Sequence, residues 1–422
     1  MRLLVKNIGE LVVVSQSQHY LPGHQMNNIQ KETGVLSVAV DDDGMIAECG
    51  KQEKVLAAYP ETCFTSVIDA QGGSVLPGLV DGHTHPVWAG DRVHEFALKL
   101  SGASYMEVHQ AGGGINFTVE KTRASSEQEL LKLLIPRLER MLKSGTTTVE
   151  CKSGYGLEVD TEIKMLKVLE LARREVPIEI SSTFCGAHSV PKGKSAAEAT
   201  ADVVENQLKA VLSANKSGEL NVENIDVFCE KGVFEIEDSR TIMMAGQREG
   251  LRLNFHGDEL YPLGGAELGA KLGAQAISHL EEISDEGIKA MAESGSVAVI
   301  LPSTAYILRL KPPPVRKMIE DGVIVALGTD FNPNAHCLSM PVIMHLACVN
   351  LRMSMNEALA AATINAAHSI GRGATHGSIQ VGKVGDLLIL NEKKWEHLVY
   401  QLGDNSAVQF VVKKGNIVYT KI

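Results

Sequence analysis

The chain has 422 residues, of which 44% are apolar and 22% charged, and its net charge is −11. That is enough chain for one large domain and a small one, and an acidic balance without a basic block argues against a nucleic-acid partner. No apolar run reaches the roughly 18 residues of a membrane span, and the seven cysteines stand singly without any C-x-x-C, which argues for a reducing compartment and against a disulfide framework.

The N-terminus, MRLLVKNIGELVVV, reads as a strand pair and not as a signal peptide, so a soluble cytoplasmic protein is expected. Short strands follow; 35–40 and 45–48 flank Asp41-Asp42-Asp43-Gly44, a hairpin signal. From Val75 the character changes to apolar runs alternating with helical patterns. The runs are 75–80, 146–151, 178–184, 225–229, 251–255, 274–278, 297–301 and 323–328. A helix over 126–143 opens on the capping box Ser126-x-x-Glu129, with Pro136 expected to kink it. A second helix spans 160–174, and Ser354-x-x-Glu357 starts an alanine-rich one. After Gly377 strands return without helices. The pattern predicts an α/β architecture: a (β/α)8 TIM-like barrel over 75–374, with a small β-sandwich domain built from both chain ends, 1–74 and 375–422.

Active residues of such barrels stand at the C-terminal strand ends. Those ends carry five of the 14 histidines: His83, His85, His188, His256 and His279. His83 and His85 share a strand face, because side chains alternate along a strand. With His256 and Asp330 they form a plausible shell for one catalytic metal ion, for which zinc and iron both suit nitrogen and oxygen donors. Asp330 taken alone reads as a helix cap, and in this company as a ligand. Such an ion brings the pKa of its water toward about 7. Glu259, three residues past His256, is the candidate to move protons, or else a solvated loop acid. His279 either holds the same water or is a satisfied core histidine. Arg92 offers a fork for a carboxylate, hence an anionic small-molecule substrate, or forms a surface salt bridge. Tyr155, in Ser153-Gly154-Tyr155-Gly156, either contacts a flat ring or packs. Ala111-Gly112-Gly113-Gly114 reads as a lid.

LPGLVDGHTH and Gly385-Asp386-Leu387-Leu388 resemble the amidohydrolase superfamily. HTHPVWAGDR, AGGGI, KSGYGL, FCGAHSVP, NFHGDEL, SHLEEIS and LGTDFNPN resemble, within it, the imidazolonepropionase family of histidine degradation. The resemblance implies hydrolysis of 4-imidazolone-5-propanoate to N-formimidoyl-L-glutamate with one zinc or iron ion. It implies His83, His85, His256 and Asp330 as ligands. It also implies Arg92, Tyr155, His188, Glu259, Asn332, Asn334 and Ala335 as substrate contacts, and a homodimer. The loop Asn334-Ala335-His336 departs from the family pattern of Gly followed by a small hydroxyl residue. Two-metal relatives use a modified lysine on strand four. Here that strand ends Phe228-Cys229-Glu230, so a single metal is expected. Competing readings are a deaminase of a nucleobase-like ring, which has no carboxylate for Arg92 to pair, and a non-catalytic scaffold, which usually loses ligands.

Overall fold

The computed structural model of the chain describes residues 1–102, 114–403 and 406–421. The lid reading at 111–113 lies outside the described residues. The first strands are β1 (Leu3–Val14), β2 (Gln30–Val40), β3 (Ile46–Lys51), β4 (Ser66–Asp69) and β5 (Ser74–Pro77). β6 (Leu79–Asp81), β7 (Thr146–Lys152), β8 (Glu179–Ala187), β9 (Val222–Cys229) and β10 (Arg252–Gly257) follow. The remainder are β11 (Ala276–His279), β12 (Val297–Ile300), β13 (Ile324–Leu327), β14 (Leu387–Leu390), β15 (Val408–Lys413) and β16 (Asn416–Thr420).

β6 to β13 form one parallel sheet in sequential order. Its two edges are tied by backbone bonds: Asp330 N–H to His83 O and His85 N–H to Phe331 O, each 2.9 Å. Helices pack outside, so the strands are buried on both faces and their sequences are apolar runs rather than alternations. Val80, Ala276, Val297, Val299 and Ile324 belong to one buried cluster with the alanines of the last barrel helix, Ile364–Ser369. The helix Glu127–Lys143 carries the expected capping box and runs through Pro136. The alanine-rich segment is two helices, Met355–Ala361 and Ile364–Ser369, interrupted at Thr363, whose backbone leaves the helical region.

Both chain ends meet in a second sheet, ordered β16-β15-β14-β5-β1-β2-β3 with β4 also on β1. Its strands surround a core that includes Val5, Leu11, Val38, Val75, Leu387 and Val412. The run expected as one strand over 75–80 is therefore two. β5 belongs to the terminal sheet, and the barrel begins only at Leu79. Pro77-Gly78 is the crossing point. A Cβ at Gly78 would lie 2.2 Å from Thr147 Oγ1, so only glycine fits there.

A partly buried ionic network joins the terminal sheet to the barrel's lower rim. Glu179, which opens β8, accepts from Arg372 Nε at 2.8 Å and Lys413 Nζ at 3.1 Å. Arg372 also reaches Glu223 at 2.8 Å, and Lys413 reaches Asp386 at 2.6 Å. His376 Nε2 stands 3.2 Å from the second Glu179 oxygen. Among the described residues no helix is long and apolar enough to cross a membrane.

Candidate metal centre and active site

His83, Thr84 and His85 follow β6 after Gly82, and the two imidazoles emerge on one side at the barrel's upper rim. Their segment is pinned by Arg137, which donates to Pro86 O at 2.7 Å and Trp88 O at 3.0 Å. His256 stands near the end of β10, and Asp330 follows β13. Gly328 permits the approach of the β13 end to His83; a Cβ there would lie 2.9 Å from the His83 Cβ.

The four expected ligands converge. His85 Nε2 lies 3.3 Å from His83 Nε2 and 3.2 Å from His256 Nε2. Asp330 Oδ1 is 3.4 Å from His83 Nε2 and 3.6 Å from His85 Nε2. Among the described residues, the three histidines are the one group with metal-ligand spacing. His256 Nδ1 donates to Asp226 Oδ1 at 2.8 Å, and His83 Nδ1 faces Ser278 Oγ at 2.8 Å. Burial and the surrounding positive groups hold all three histidines well below their ordinary pKa, so they are neutral. Neutral ring nitrogens this close repel one another unless a cation lies between them. The donor set therefore fits a divalent ion. Asp330 caps no helix, since the next one begins at Met340. Thr304 Oγ1 donates to its other oxygen. Asp330 also holds φ at 47°, a backbone state that a non-glycine residue keeps only where its surroundings enforce it.

Glu259 and His279 stand beside this cluster. His279 stacks on His256 at 5.2 Å, and its Nε2 is 3.6 Å from Glu259 Oε2. Its Nδ1 is 3.7 Å from the buried Glu281. Burial, reinforced by Glu281, pushes the Glu259 carboxyl up to about 8 although His279 opposes it. Burial works against charge on His279, but Glu259 and Glu281 overcome it and raise the imidazole, up to about 10. Asp258, next to Glu259, turns away from the cluster, and its carboxylate collects the N–H groups of Leu263, Gly264, Gly265 and Ala266.

His188 stacks on His85 with ring centres 4.5 Å apart. Its Nδ1 donates to Gly154 O at 3.0 Å, and burial lowers its pKa to about 3. Its Nε2 is consequently a bare acceptor. Tyr155 is buried, with its ring 5.3 Å from His188. Arg92 stands farther out, on the wall of a cavity of about 920 Å³ that Asn334 and His336 also line. Its Nε and Nη2 donate to the buried Glu95 at 2.9 and 2.7 Å, so half of the guanidinium fork is taken. Asn332 turns back on its own loop: Nδ2 donates to Asp330 O, and Oδ1 accepts from Asn334 N and Ala335 N. Ala335 is fully buried and its carbonyl accepts from Asn332 N. These bonds fix Asn332 and Ala335 within the loop that shapes the wall.

Sequence reasoning missed Asp226, Ser278 and Glu281 behind the ligands, and it placed Glu150 and Lys152 at a strand end without giving them a role. Glu150 and Lys152 had a signal, since a strand end with two charged residues on one face is unusual for a buried run.

The amidohydrolase family profile matches residues 74–420. The chain belongs to the amidohydrolase family. This amidohydrolase is 58% identical to a probable imidazolonepropionase of Nematostella vectensis over 99% of each chain. It is 56% identical to the one of Homo sapiens, over 99% of this chain and 98% of that one. In fold it is similar to a triazine hydrolase variant, with TM-score 0.75, 17% identity, and 98% and 94% of the two chains covered. Guanine deaminase of E. coli gives TM-score 0.70 at 15% identity, over 99% of this chain and 100% of that one.

Proposed function

We propose that this amidohydrolase opens the ring of 4-imidazolone-5-propanoate to give N-formimidoyl-L-glutamate. The observation that carries the reading is the 58% identity along 99% of the chain to a probable imidazolonepropionase. The site chemistry agrees with it. His83, His85, His256 and Asp330 would hold one zinc or iron ion. When bound, that ion supplies Lewis acidity and a water whose pKa is brought toward about 7.

The chain's own groups do the rest. His188 accepts at Nε2 and therefore reads a ring N–H rather than a ring carbonyl. Tyr155 lies against the ring. The outer edge of Arg92, away from Glu95, pairs with the propanoate. As water adds to the ring carbonyl carbon, the Glu259 carboxylate takes its proton, and it returns that proton to the leaving nitrogen as the C–N bond breaks. His279, between Glu259 and Glu281, favours the developing oxyanion. By the same likeness we infer a cytoplasmic homodimer, which light scattering checks.

The test is to follow the loss of imidazolone propanoate absorbance beside a panel of nucleobase deaminase substrates. Turnover of the imidazolone alone is expected. Ammonia release from a nucleobase with no imidazolone turnover would replace this reading with the deaminase one.

A further inference from the structure

Beneath the ligands lies a cation that the mechanism above does not use. Lys152, the last residue of β7, is fully buried. Its Nζ donates to Glu150 Oε2 and stands 3.5 Å from Asp226 Oδ2. Among the described residues, Asp226 Oδ2 and Glu150 Oε1 have no hydrogen-bond partner. The other oxygen of each carboxylate reaches a ligand-bearing segment. Asp226 Oδ1 accepts from His256 Nδ1, and Glu150 Oε2 accepts from the backbone N–H of Thr84, between His83 and His85, at 3.2 Å. Lys152 N–H itself donates to Thr84 O at 3.1 Å. One ammonium therefore sits between the two carboxylates that orient the two halves of the ligand set.

A buried ion group costs several kcal/mol to desolvate, and well-packed apolar residues often replace such pairs without loss. Packing alone does not explain a lysine here. We propose that Lys152 is a positioning residue of the metal centre. Its ammonium fixes the Asp226 carboxylate against His256 and the Glu150 carboxylate against Thr84, so that the two ligand segments are held in register. Without it Asp226 keeps an uncompensated oxygen in the interior and turns from the ring. His256 Nδ1 then loses its fixed acceptor, and its Nε2 lone pair is no longer aimed. Residues that orient ligands in this way typically change metal affinity by about 10–100-fold.

This inference rests on the metal-centre reading, and the experiment separates the two. Zinc affinity is measured by competition with a colorimetric chelator on the full chain, for the parent, Lys152→Met, Asp226→Asn and the two combined. Folding is followed by circular dichroism. Expected are one zinc in the parent, affinity about 10–100-fold weaker in each single variant, and a combined loss no greater than the larger single loss. A parent that binds no zinc sinks the metal reading itself. A parent that binds one, beside a folded Lys152→Met within twofold of it, sinks only the role of Lys152, as do additive losses. If Lys152→Met does not fold, Glu150→Gln with Lys152→Met removes charge in matched amounts and must fold with weakened zinc. Failure of that pair to fold makes Lys152 a purely structural residue and overturns the proposal.

Discussion

Asp81 and Thr329, 248 positions apart in the chain, share two hydrogen bonds: the Thr329 hydroxyl donates to Oδ2 at 2.6 Å and its N–H to Oδ1 at 2.9 Å. Asp81 ends the first barrel strand, and Thr329 follows the last. This contact brings His83 and Asp330, their respective neighbours along the chain, to the same point. Thr329→Val leaves a fully buried carboxylate short of one donor, which typically costs about 1–3 kcal/mol. A lowered urea midpoint is expected; an unchanged one would show that the hydroxyl contributes nothing to closure.

His256→Ala should purify folded and without stoichiometric metal. Elemental analysis of the protein is the measurement, and full metal content in this variant removes His256 from the shell.

Arg92 stands against Glu95 with half its fork committed, so any substrate carboxylate meets an already oriented guanidinium. Arg92→Lys keeps the charge but not the planar fork and should already weaken binding. Arg92→Ala also removes the guanidinium that pairs with buried Glu95, and breaking such a pair typically costs about 3–5 kcal/mol. Both variants should lose kcat/KM mainly through KM. Unchanged kcat/KM in the two would end the idea that Arg92 recognises the substrate.

Glu259→Gln preserves shape but moves no proton. General acid–base groups typically contribute about 10²–10⁴-fold, so a fall of kcat in that range with metal retained is expected. Near-normal kcat would pass the role to His279. Loss of metal would make Glu259 a ligand.

The network under the barrel predicts an acid-sensitive join. Burial alone would raise Glu179, but His376, Lys413 and Arg372 overcome it and hold its carboxyl far below the usual range. A depressed folded pKa gives stability that is complete above the unfolded value, about 4.3, and is lost as pH falls below it. Glu179→Gln should therefore be less stable near neutral pH and lose less stability than the parent between about pH 4.5 and 2. Parallel stability curves for the two proteins over that range would contradict the assignment.

Much of the site was legible because chemistry at strand ends is written in residue type. His83 and His85 are separated by the period of a strand, and His256 and Asp330 close two further runs. The sheet to which Val75 belongs was not legible. An apolar run carries no mark of its partner, and only the close approach at Gly78 shows the chain changing sheets. Asn332 and Ala335 sit in the expected loop, but the direction of a short amide side chain depends on local backbone bonds that spacing does not encode. Lys152 was visible as a residue and silent as a part, because its meaning lies in Asp226, on another strand.

The placement of β5 has a consequence for how the protein is made. One edge of β5 pairs with β1 almost at once, while the other waits for β14, about 300 residues downstream. At a ribosomal pace of about 5–20 residues per second, that edge stays open for roughly 15–60 s. During synthesis the barrel is thus assembled on a half-built platform with an unpaired apolar edge. Such edges invite wrong pairing with other chains. Nascent chains stalled before Leu387 should be the species that chaperones hold longest.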